Sequence, residues 1–152
     1  MKQSVLGATG ISVSKLCFGM LTLSPLQCNL TVHDAERLLV HAIDRGIHFF
    51  DTAQLYQTYD SLRLAVKYKN DIVISTKDYC YDRQTAQKSI DNALRSIGRD
   101  YIDLFLLHEM ESKHTIRGHW EAIEYMIARK QAGDIRAIGL STHHIAAVKA
   151  AL

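Results

Sequence analysis

The chain has 152 residues, of which 47% are apolar and 22% charged, and its formal net charge is +2. That length suits one domain with a true core, and so small a charge without a basic cluster excludes nucleic acid or a membrane surface as the expected partner. Cys17, Cys28 and Cys80 show no CxxC spacing, which argues against a disulfide framework or zinc site and fits a reducing cytoplasm.

The N-terminus, MKQSVLGATG, has one lysine with no apolar core behind it, so no secretory signal is read there. No stretch approaches the about 18 to 20 apolar residues of a membrane span. Ser4–Leu6 and Ile11–Val13, separated by Gly7 and Gly10, predict a hairpin over residues 1–14. Leu16-Cys17-Phe18 then reads as a first buried strand closed by Gly19. A loop through Pro25 leads to Thr31, an N-cap with Asp34 three residues on. Ala35, Leu38, Leu39, Ala42 and Ile43 recur at helical spacing up to Gly46.

The strand–helix unit repeats. Ile47–Phe50 runs into Asp51, and a short helix around Leu62, Ala65 and Val66 follows, ending by Asn70. Ile72–Ile74 reaches Lys77, and a helix with Ile90, Ala93, Leu94 and Ile97 stops at Gly98. Leu104–Leu107 reaches His108, and a helix with Trp120, Ile123 and Ile127 stops at Gly133. Ile135–Leu140 runs into Ser141, and residues 145–152 form a last amphipathic helix. The strand ends lie 26, 31 and 33 residues apart (51 to 77, 77 to 108, 108 to 141). A βαβ unit takes about 30 residues.

Continuous apolar strands mark a parallel sheet covered by helices, which an open doubly wound sheet and a (β/α)8 barrel both satisfy. A complete barrel takes about 250 residues. The expectation is therefore an α/β fold, a partial (β/α)8 TIM barrel of about five βα units over residues 15–152. Its open edges would favour self-association.

In such a sheet Asp51, Lys77 and His108 share the carboxyl edge with Tyr56, where active sites of these folds gather. A free tyrosine is a poor acid near neutral pH. An adjacent ammonium lowers its pKa into general-acid range, an aspartate holds that ammonium, and a histidine orients a carbonyl or relays a proton. No side chain supplies hydride, so a nicotinamide cofactor is implied.

The segments LGATGISVSKLCFGM, HFFDTAQLY (48–56), ISTK (74–77), YIDLFLLH (101–108) and IGLSTH (138–143) resemble, in this order and spacing, the N-terminal part of the aldo-keto reductases. These are (β/α)8 barrel enzymes that reduce aldehydes and ketones with NADPH. The resemblance implies Tyr56 as proton donor, Lys77 as the group that lowers its pKa, Asp51 as the lysine's partner and His108 as the substrate-orienting residue. It further implies cofactor contacts from Gly19, Met20, Ser141 and Thr142, and a small-molecule carbonyl substrate.

The chain departs from the family pattern in places. Gln57-Thr58-Tyr59-Asp60 stands where the family has Gly-x-Ser/Thr-Glu, which makes Tyr59 a rival acid. Ser141-Thr142 replaces a frequent Ser-Asn, and no GxGxxG or P-loop substitutes for the family's later phosphate-binding loops. His108-Glu109 does not open an HExxH motif, since Ser112 occupies the second histidine's place, and no metal site is expected. His33, His41, His114, His119, His143 and His144 read as structural, and Asp103 as an in-strand charge pairing with a basic group. Two other readings stand beside the reductase: an inactive fragment or interaction module of the same fold, and a lyase using a Schiff base on Lys77.

Overall fold

The computed structural model describes all residues 1–152. The N-terminal hairpin pairs β1 (Gln3–Val5) antiparallel with β2 (Ser12–Ser14). Five parallel strands follow: β3 (Phe18–Gly19), β4 (Phe49–Asp51), β5 (Val73–Asp78), β6 (Ile102–Leu107) and β7 (Ile135–Leu140). Between and after them run α1 (Val32–Asp44), α2 (Tyr59–Tyr68), α3 (Arg83–Ile97), α4 (Lys113–Gly118), α5 (Trp120–Ala132) and α6 (Ile145–Ala151).

Strand order in the sheet is the order in the chain, β3-β4-β5-β6-β7. A doubly wound sheet reverses its order at a switch point and carries helices on both faces. Here the order never reverses. The helices share one large core with Phe50, Ile74, Phe105 and Leu107, while Val73 and Ala137 pack with Ile11 and Val13 of the hairpin region. Helices on one face and a plug on the other describe the arc of a barrel.

Register places the site. Paired residues share a face, and Gly19 pairs with Asp51, Asp51 with Ser75, Ser75 with Leu104 and Leu104 with Ala137. Two residues on, Lys77 pairs with Leu106, and Leu106 with Gly139. Alternation keeps this whole set on the inner face. Phe50, Ile74, Phe105 and Leu107 face the helices, where burial of each side chain contributes about 2 kcal/mol.

Local signals in the sequence are realised in several places. The Thr31 hydroxyl accepts the Asp34 N–H and caps α1. Gly98 (φ 78°) and Gly133 (φ 92°) close α3 and α5 in the left-handed region that glycine enters without strain. Other expectations need correction. The first strand is not the buried run Leu16–Phe18. It is the two-residue β3, with Leu16 and Cys17 exposed, because an edge strand has a neighbour on one side only. The expected fourth helix is two helices, since a capping box between Ser112 and Thr115 starts α4 separately. The buried face of α5 is Ala122, Tyr125 and Met126, while Trp120 and Ile127 are exposed.

Candidate active site

Asp51 ends β4, Lys77 stands one residue before the end of β5, and His108 and Ser141 directly follow β6 and β7. Tyr56 sits on a short 3-10 turn, Gln54–Tyr56, that closes on Gln57 in the left-handed region at φ 55°. Asn92 of α3 donates to Gln54 at 3.0 Å, and the Thr52 and Thr58 hydroxyls meet at 2.7 Å. The loop carrying the phenol is thereby tied to a helix and closed on itself.

The Lys77 side chain is nearly enclosed, 7% exposed, against 34% for Asp51. Its Nζ donates to Asp51 Oδ2 at 2.6 Å and to the Thr52 carbonyl at 2.9 Å. The same nitrogen lies 5.3 Å from the centre of the Tyr56 ring. His108 meets that ring edge-on, centroids 5.8 Å apart. The sheet edge therefore gathers Asp51, Lys77, Tyr56 and His108 into one cluster.

Electrostatics in the cluster correct one expectation. Lys77 was expected to lower the Tyr56 pKa. Here burial, and then the Asp51 and Glu109 carboxylates, push the phenol above its ordinary value. His108 shifts the other way. Burial first and Lys77 second lower its pKa, so the imidazole is neutral near pH 7. Its Nδ1 is enclosed without a hydrogen-bond partner in the protein.

The expected cofactor contacts fall in different settings. Gly19 lies opposite Asp51 on the inner face, and a methyl group there would meet nothing within 4 Å. The Met20 side chain is wholly buried in the main core, and its N–H bonds to the Asp51 carbonyl at 2.9 Å. Its backbone alone borders the cluster. Ser141 Oγ accepts the Glu109 N–H at 2.9 Å and keeps its own proton to donate. Thr142 turns its hydroxyl onto the backbone of His144, accepting at 2.8 Å and donating at 3.2 Å.

Tyr59 is not a rival acid. It is buried, and its hydroxyl pairs with Thr76 at 2.8 Å in the helix-facing layer. Burial pushes its pKa well above the ordinary phenol value. Two neighbours of the cluster escaped sequence reasoning. Tyr79 stacks on the His108 ring at 4.5 Å, and its hydroxyl donates to Glu109. The spacing Lys77-x-Tyr79 carried the signal for the first, since alternate strand residues share a face. Nothing local marked Glu109.

The chain is similar to known proteins. The Aldo/keto reductase family profile matches residues 15–152. Methylglyoxal reductase DkgA of Yersinia pestis is 27% identical over 120 residues, 76% of this chain and 42% of that protein. L-galactose dehydrogenase of Arabidopsis thaliana is 28% identical over 149 residues, 90% of this chain and 47% of that protein. The holo form of an aldo-keto reductase from Bacillus halodurans superposes with a TM-score of 0.79 at 28% identity, covering 94% of this chain and 51% of that one. The chain thus spans about half the length of the curated relatives it matches first. With a profile match over nearly its whole length, on strands and loops that assemble one polar cluster at the sheet's carboxyl edge, this chain belongs to the aldo-keto reductase family.

Proposed function

We propose that the chain carries the proton-transfer half of an NADPH-dependent reduction of a small aldehyde or ketone to an alcohol, in the cytoplasm. The observation behind this reading is the contact series Asp51–Lys77–Tyr56–His108, from 2.6 Å at the ion pair to 5.8 Å between the rings. The cofactor, when bound, supplies hydride to the carbonyl carbon. Bare Gly19 on the inner face and the free hydroxyl proton of Ser141 fit a planar ring bearing an amide. Those two positions would hold the ring, with the Met20 backbone beside it.

His108 is neutral and would donate through one nitrogen to the substrate oxygen. Tyr56 would then pass its proton to that oxygen as negative charge develops on it. A phenol whose pKa is raised remains protonated and loaded at neutral pH, and an alkoxide is far more basic than a phenolate. Lys77 stabilises the phenolate left behind, and Asp51 keeps the ammonium in place. Solvent returns the proton.

The Schiff-base reading is disfavoured by geometry. A nucleophilic amine needs a free lone pair, whereas the Lys77 nitrogen donates to two fixed oxygens. An interaction module remains the second reading, favoured by the unpaired outer edges of β3 and β7. Fluorescence titration with NADPH and turnover of methylglyoxal test the choice. Cofactor binding with turnover supports the reductase. Neither signal from a folded chain, with self-association in sedimentation, supports the module.

A further inference from the structure

Glu109 adopts φ 57°, a left-handed conformation that costs a non-glycine residue about 1 kcal/mol or more. It is held from both ends. Its N–H donates to Ser141 Oγ at 2.9 Å, the next N–H (Met110) donates to the Ser141 carbonyl at 2.8 Å, and its carboxylate accepts from the Tyr79 hydroxyl. His143 Nε2 approaches the other carboxylate oxygen at 3.6 Å. The Tyr79 ring, anchored in this way, lies 26° from parallel with the His108 imidazole at 4.5 Å. The enclosed Nδ1 of that imidazole has no hydrogen-bond partner in the protein. In metal and catalytic sites a histidine's orientation is ordinarily set by a hydrogen bond from its second nitrogen. Here none exists, and an anchored aromatic ring covers the imidazole instead.

We propose that Tyr79 and Glu109 form a clasp that fixes the His108 ring, with Tyr79 acting as a positioning residue in place of the missing hydrogen bond. Stacking sets the plane of the imidazole, the hydroxyl-to-carboxylate bond prevents Tyr79 from sliding, and the strained Glu109 backbone aims the carboxylate. The charged groups that bear on the titration of His108 are Lys77 and Asp78 from β5 and Asp51 from β4, and the Tyr79 and Tyr56 rings face it. Glu109 adjoins it, and His143 reaches it through Glu109. Tyr79 remains a neutral donor throughout, because burial and the bond to Glu109 push its phenol up to about 12. The consequence for turnover rests on the carbonyl-reductase reading; the orientation of the ring does not.

The test is NMR of the His108 ring in the whole 152-residue chain, followed through its titration. Wild type is compared with Tyr79→Phe, Tyr79→Leu and Glu109→Gln. In wild type the His108 ring protons show the ring-current shifts and cross-ring NOEs of an imidazole stacked on Tyr79. Tyr79→Phe, which cuts the tie to Glu109, weakens those NOEs and moves the pKa back toward the ordinary histidine value, and Tyr79→Leu abolishes them. Glu109→Gln keeps an acceptor for the tyrosine but loses the charge, so the stack is retained while the pKa falls further. A merely structural pair would not separate those two responses. Should Tyr79→Leu fail to fold, the Phe variant carries the result by itself.

In turnover, Tyr79→Phe lowers kcat about fivefold, the value of one hydrogen bond, and leaves KM within about twofold. A His108 ring whose stacking NOEs and titration are the same in wild type and in folded Tyr79→Phe overturns the clasp. A ring that responds in a chain without turnover upholds the clasp and removes the reductase reading instead.

Discussion

Two carboxylates on this sheet, Asp51 and Asp103, show how one residue type serves opposite ends. Asp103 is 1% exposed and saturated: Arg136 donates to it at 2.6 Å, the Ile74 N–H at 3.0 Å, and Arg99 stands 3.8 Å away. Arg99 also reaches the Asn70 carbonyl at 2.7 Å. This network fastens β5, β6 and β7 together on the amino side of the sheet, near the hairpin plug. Asp51 is a third exposed and holds a single lysine beside open space. Saturation makes a staple, and an incomplete shell leaves groups free to react. Backbone strain follows the same division, since the three non-glycine left-handed residues, Asn29, Gln57 and Glu109, all lie in segments that follow the carboxyl ends of strands.

Four experiments break or sharpen that contrast. Tyr56→Phe deletes the proton donor, so carbonyl reduction falls about 10²- to 10⁴-fold, while the thermal midpoint stays near that of wild type. A variant that reduces carbonyls at an undiminished rate ends the catalytic assignment. Asp103→Ala does the reverse. It strands the buried Arg99 and the Ile74 N–H, and destabilises by about 2 to 4 kcal/mol in urea unfolding, toward the lower end because Arg136 is 43% exposed. Stability within the error of wild type would show that the network is not a staple.

The pH response of His108 comes next. Its folded pKa lies below the ordinary 6.5, so the unfolded chain binds the proton more readily. The full contribution of His108 to stability is therefore present above about pH 6.5 and is lost as pH falls through the folded value. His108→Gln makes the acid limb of unfolding shallower, and an unchanged limb would contradict the burial of the neutral ring. The smallest effect belongs to Thr31→Ala. Loss of the α1 cap costs about 1 kcal/mol, with turnover per folded molecule unchanged. A change in turnover would couple this helix end to the site.

Much of the molecule was legible before folding was considered. Thr31, Gly98 and Gly133 act within one helical turn, so short-range chemistry announced where α1 begins and where α3 and α5 end. Lys77 and His108 were readable because apolar strands of similar spacing deliver their ends to one edge. The two-helix break at His119 and the rotated face of α5 were hidden. There, a local Ser112–Thr115 box competes with an apolar periodicity that suits either face.

What the sequence determined by itself was the ordered set of strands, helix ends and titratable groups, because these depend on neighbours along the chain. The partners of Asp103 lie up to 33 residues away, and the bonds from Tyr79 to Glu109 and from Glu109 to Ser141 span 30 and 32. Such pairings exist only once register is chosen. Tertiary structure likewise decided the balance of charge at Tyr56. A pKa depends on distance and burial, and at Tyr56 burial and the Asp51 and Glu109 carboxylates outweigh the lysine that stands 21 positions along the chain (56 to 77).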